Sequence, residues 1–226
     1  MQPSLSFGRK TGHTGLACLM AAWVVLIGTG CRESQSRAGG PPVLNPVGEY
    51  AEIDTGGSRA ASQAIAAGDT QALRQVIEQP GDFNPPTLAL AAYALHNRYP
   101  ERAMYFFYLA QLRARSDINK SLEPSTEAAM SVINESVGPF INRYAFNDIP
   151  RLRQIIRRVL EADVTLPRNY DPRWVALHGL GAFSRETIPF HPEERWATIN
   201  ARTRDSWLAQ FREVIKRVET LKQGNE

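Results

Sequence analysis

Residues 100–116 read PERAMYFFYLAQLRARS, and the reading of this stretch decides the fold. Apolar positions recur in it at helical spacing on two sides. Ala103, Phe107, Ala110 and Ala114 line one face, and Tyr105, Tyr108, Leu109 and Leu112 line the opposite one. A helix that is apolar on two sides is covered on two sides. The stretch is therefore expected at the centre of a helical domain, in contact with helices before and after it. Pro100 opens it, because proline at a first helical position gives up an N–H that has no intrahelical acceptor.

Working outward, helical patterns continue in both directions. Pro85 and Pro86 precede a helix over 87–98 carrying Leu88, Leu90, Ala91, Tyr93, Ala94 and Leu95. Before it, a short helix over 59–67 stops at Gly68. Asp69 is a good N-cap for the next, whose stripe is Ala72, Leu73, Val76 and Ile77. After the central stretch comes a loop over 119–124. Ser125 then caps a helix with Ala128, Ala129, Met130, Val132 and Ile133, which Gly138-Pro139 is expected to break, with 140–145 resuming. Asp148 and Pro150 open a helix bearing Leu152, Ile156 and Val159. Residues 166–191 read as irregular, with a short helix near 173–180. Residues 192–221 read as one long helix with the stripe Trp196, Ile199, Trp207, Leu208, Phe211, Val214, Ile215, Val218 and Leu221. No segment reads as a strand. The fold class is thus all-α: an irregular helical-hairpin array over 58–226, closed by a long C-terminal helix.

The small and large residues Leu90, Ala91, Ala103, Phe107 and Ala110 resemble the pattern of tetratricopeptide and Sel1-like repeats. There, small residues let the two helices of a hairpin approach closely while aromatics fill the gaps. The turn glycine of those repeats is absent, with Asn97 nearest. Residues 64–94 also faintly resemble an ankyrin unit. These resemblances imply a surface for binding another protein.

The first residues carry a different signal. Arg9 and Lys10 precede an apolar run over 16–27, and Gly28, Thr29, Gly30 and Cys31 follow. This is the order of a secretory signal, and the run is shorter than the ~20 apolar residues of a spanning helix. Residues 27–31, Ile-Gly-Thr-Gly-Cys, resemble the lipobox of bacterial lipoproteins, although Gly28 stands where that motif usually carries Leu, Val or Ile. The resemblance implies cleavage between Gly30 and Cys31 and a lipid on the Cys31 sulfur. It also implies attachment to the cell envelope on the periplasmic side, with Arg32 favouring the outer membrane over the inner. The alternative is ordinary cleavage or an uncleaved anchor, with Cys31 incidental. Residues 31–57 are rich in Gly, Pro and Ser and read as a flexible tether; the alternative is that Val43, Leu44 and Tyr50 pack on the domain.

Composition narrows the rest. The chain has 226 residues with 26 basic and 23 acidic side chains; two of the basic ones, Arg9 and Lys10, lie in the leader. What remains is nearly neutral, so charge gives no reason to expect a nucleic-acid partner. Both cysteines, Cys18 and Cys31, lie in the leader region, so the exported domain has none for a disulfide.

His96, His178 and His191 share no ligand spacing, and no nucleophile or phosphate-loop motif occurs. The expectation is therefore no cofactor, no metal and no catalytic set. His191-Pro192-Glu193-Glu194 reads as a helix start, with two acids at the positive end of the helix dipole.

Tyr99, Arg113, Arg153 and Arg157 are the candidate partner-binding residues. Arg113 has a second reading, hydrogen bonding to buried carbonyls. Arg151, Arg153, Arg157 and Arg158 have one as a solvated helix face. The function expected is that of an envelope-anchored interaction module. The alternatives are an immunity lipoprotein that neutralises a periplasmic toxin, or an enzyme acting on peptidoglycan.

Overall fold

A computed structural model describes residues 45–223 of the chain. The leader, Gly30, Cys31 and the first part of the expected tether lie outside the described residues. Seven α-helices follow one another: α1 Gly56–Ala66, α2 Thr70–Glu78, α3 Pro85–Leu95, α4 Pro100–Ile118, α5 Ala128–Ala145, α6 Ile149–Thr165 and α7 Trp196–Gln223. Among the described residues there is no strand, only an isolated bridge between Ser121 and Phe190. The domain is all-α and is closed by a long C-terminal helix.

Local chemistry sets the helix ends. Gly68, at φ +88°, lets the chain turn out of α1. The Asp69 carboxylate accepts from the amides of Gln71 and Ala72 at 2.7 and 3.2 Å and starts α2. The Asn84 side chain accepts from Thr87 N at 3.2 Å, and the Asp148 carboxylate accepts from Arg151 N at 3.0 Å, so α3 and α6 are capped alike.

α4 is the centre, packed by α3, α5, α6 and α7. Ala103, Phe107, Leu109, Ala110, Leu112 and Ala114 are fully buried, so both faces that its sequence marked as apolar are covered. α5 runs antiparallel beside it. Arg115 pairs with Glu127 at 2.8 Å, Gln111 Nε2 donates to Asn134 at 2.7 Å, and Tyr108 OH donates to Asn142 at 3.0 Å.

Two expectations are corrected. α5 is not broken at Gly138-Pro139 but runs through Pro139. Pro139 is exposed, and so is Glu135, whose carbonyl loses its helical donor to the proline ring. That carbonyl lies on the exposed side of the helix, where solvent has access, while buried Gly138 and Val137 keep the helix seated. The tether expected over 31–57 does not extend through 48–53. Gly48–Glu52 forms a 3-10 turn, and Tyr50 (1% exposed) and Ile53 pack with Ala176 and Ala182. The alternative reading of Tyr50 is the one observed. Gly48, at φ +55°, lies against the Glu186 backbone where a Cβ would overlap.

The irregular segment after α6 is held by charge. Asp163 receives Arg168 Nη2 at 2.5 Å and Arg204 Nη1 at 3.0 Å, with Arg113 Nε at 3.6 Å. Asp117 receives Lys120 Nζ at 2.8 Å, Trp174 Nε1 at 2.9 Å and Tyr170 OH at 3.0 Å. Both carboxylates are fully buried, as is the Arg113 side chain. Asn119 Nδ2 donates to Thr203 Oγ1 at 2.8 Å, and Lys120 lies 5.4 Å over the Trp196 ring. The C-terminal end of α4 thus grips the irregular segment and α7 together.

Two consequences are measurable by urea denaturation. Asp163→Asn leaves Arg113 buried beside a neutral partner, and removing one member of a buried pair costs about 3–5 kcal/mol. Breaking the exposed Arg153–Glu219 pair with Arg153→Ala costs below about 1 kcal/mol. Burial beside Trp174 pushes the His178 imidazole down to about 4. Between about 6.5 and about 4 the unfolded chain binds the proton that the folded one refuses, so acid lowers stability across that window. The loss amounts to roughly 2–3 kcal/mol and is absent from the pH–stability profile of His178→Asn.

Candidate functional site

The sequence residues singled out for partner binding do not gather on one surface. Tyr99 is exposed, 45%, at the N-terminal end of α4. Arg113 is a correction: it is 0% exposed and cannot meet a partner. Its guanidinium donates to the carbonyls of Leu166 at 3.3 Å and Pro80 at 3.5 Å, the second reading of its role. Arg153 lies on α6 and ties it to α7 through Glu219 at 3.0 Å. Arg157 is exposed on α6. Its neighbour Arg158 lies 5.4 Å over the Tyr105 ring.

A surface does form where α3 ends beside the second half of α5. Phe140, Arg143 and Tyr144 stand at i, i+3 and i+4 and share one edge of α5. They meet His96 and Asn97 at the end of α3 and, with Pro139, line a cavity of about 380 Å³. Tyr93 meets Phe140 edge-on at 5.0 Å, and His96 lies 4.8 Å from Tyr93 and 5.3 Å from Phe140. His96 Nδ1 stands 2.5 Å from the Tyr93 carbonyl. A carbonyl only accepts, so Nδ1 is the donor in this contact. Phe140 and Tyr144 remain 37% and 39% exposed.

Arg143 supplies a positive charge at this cavity, and two further arginines stand at Tyr99. Arg98 and Arg102 lie 5.6 and 5.9 Å from the Tyr99 ring centroid. The neighbouring acids are engaged elsewhere: Arg151 takes Glu101 at 3.1 Å and Asp148 at 3.5 Å. Among the described residues no ion pair neutralises Arg98, Arg102 or Arg143. The result is a concave aromatic surface with a positive rim, able to stack on flat groups and pair with carboxylates.

Sequence reasoning missed the surface formed by His96, Asn97, Phe140, Arg143 and Tyr144. The helical spacing of Phe140, Arg143 and Tyr144 was present in the sequence, but their meeting with the end of α3 depends on tertiary packing. Among the described residues no group of His, Cys, Asp and Glu is arranged to hold a metal ion, and no helix is long and apolar enough to cross a membrane. No family model, no curated protein and no solved structure matches the chain.

Because Phe140 and Tyr144 are already in contact with water, Phe140→Ala and Tyr144→Ala should each lower unfolding free energy by about 1 kcal/mol or less. A loss near 3 kcal/mol in urea denaturation would make them core residues instead.

Proposed function

We propose that this chain is an exported bacterial lipoprotein, held in the cell envelope through Cys31, whose helical domain binds another protein. The leader supports the first half. A basic start, a dozen apolar residues and small residues before Cys31 fit export followed by acylation. Two or more acyl chains on a mature N-terminus anchor stably where one is marginal.

The observation that carries the second half is the surface between α3 and α5. It brings exposed Phe140 and Tyr144 together with His96 and with Arg143, which no ion pair neutralises among the described residues. Tyrosine and arginine are the residue types that dominate binding energy at interfaces. The positive rim favours an acidic segment on the partner, and it steers encounter in a salt-dependent way.

Labelled palmitate tests the anchor: wild type incorporates it and Cys31→Ala does not. Equal incorporation in both removes the lipoprotein reading. Crosslinking and pull-down of the tagged chain from envelopes test the surface. Arg143→Glu with Tyr144→Ala, a combination expected to leave the fold intact, should reduce the recovered partner at least tenfold. Arg157→Glu on α6 should not. Unchanged recovery with the first pair contradicts the assignment.

A further inference from the structure

We infer that the 3-10 turn Leu180–Phe183 is a ridge that rests on the lipid bilayer; this builds on the lipid anchor proposed above and assigns the domain face that meets the membrane. A 3-10 helix repeats every three residues, so side chains at i and i+3 stand on the same edge. Leu180 and Phe183 occupy that edge and are 72% and 57% exposed, while Gly181 and Ala182 between them face inward and are buried. Leu122 (55%) and Val47 (53%) are exposed on the segments that flank the turn. The pair Leu180 and Phe183 thus presents two large apolar side chains to solvent from one edge.

The turn is rigidly mounted. Gly181 N donates to Glu123 Oε1 at 2.7 Å, and Leu180 N donates to Ser125 Oγ at 2.9 Å. A Cβ on Gly179 or Gly181 would strike the Glu123 carboxylate, so glycine is what allows this close approach. Ala182 packs against Tyr50.

The same small region is where the chain enters the domain, and this selects the bilayer as occupant. Glu49 N donates to Glu186 O at 2.8 Å, and Ile188 N donates to Glu49 Oε2 at 2.7 Å. The Gly48–Glu52 turn is thereby fastened beside the ridge. Residues 32–47 are all that separate this point from Cys31. A chain of that length reaches at most about 55 Å even when fully extended. A short link gives its two ends a high effective concentration, so even a small apolar contact is well populated. Charge adds no pull toward anionic lipid: Arg185 and Glu186 cancel formally, and Glu49 and Glu52 are acidic. The contact is therefore apolar, with insertion at the interface rather than headgroup pairing.

The test places the photoreactive amino acid p-benzoylphenylalanine at position 183, and separately at 180, in the full chain expressed in its envelope. Palmitate labelling is read on the same samples, and adducts are identified by mass. The expected result is a phospholipid adduct at both positions, reduced at least tenfold in Cys31→Ala. The same probe at position 140, which lies about 18 Å further along α5 from its start, should give no lipid adduct. A palmitate-labelled protein that crosslinks at 183 and 180 only to protein, or not at all, overturns the ridge while leaving the anchor standing. Wild type without palmitate overturns the anchor itself and the ridge with it.

Discussion

Two buried carboxylates, Asp117 and Asp163, hold together what the helices alone would not. Residues 166–191 hold no α-helix, only the 3-10 helices Pro172–His178 and Leu180–Phe183, and no cysteine to staple them. They stay on the domain because Tyr170 and Trp174 hydrogen-bond Asp117 and Arg168 pairs with Asp163. Arg204 and Thr203 bring α7 to the same place. Four basic side chains surround two acidic ones here, in surroundings where a lone charge is severely penalised. Such a network tolerates one arrangement, because each member's desolvation is offset only by its particular partners. We take it to be the device that gives an irregular segment a single conformation.

That clamp sits at the C-terminal end of α4 and organises the domain by its two ends. Beside the clamp, Glu123 seats the Leu180–Phe183 turn, and the chain enters at Gly48. At the N-terminal end, about 28 Å away along the 19 residues of α4, Tyr99 and the α3–α5 surface are exposed. α5 runs beside it in the opposite direction, with Glu127 just before its start pairing with Arg115 and Asn142 near its end accepting from Tyr108. In the proposed reading, one end faces the bilayer and the other faces the partner. The rigid α4–α5 pair keeps them apart.

Much of this was legible in the sequence wherever the signal was local. Asp69, Asp148 and Pro100 mark helix starts through chemistry completed within one turn. The two apolar faces of α4 announced its central position because nothing but burial on both sides suits them. What stayed hidden depends on partners far along the chain. Asp117 looks like an ordinary charge near a helix end until Trp174, 57 residues later, is brought to it. Arg113 reads equally well as a surface or a core residue, and only the carbonyls of Pro80 and Leu166 decide it. Gly138-Pro139 has the composition of a break, and solvent exposure of Glu135 overrides it. The α3–α5 surface stayed hidden because it joins Asn97 to Pro139 and Phe140, far apart in the chain, and the packing of 48–53 depended on the residues that receive Tyr50.

The central claim is that the Asp117–Asp163 network makes the irregular segment and α7 part of one cooperative unit with α4. Native-state amide hydrogen exchange measures this directly, since opening free energies separate regions that unfold apart. The account predicts that the slowest amides of 172–183 and of 200–215 open with the same free energy as those of 105–115, and that all three fall together in Asp163→Asn. Exchange of 172–183 and 200–215 at a much lower free energy, with 105–115 unaffected by that substitution, would contradict it.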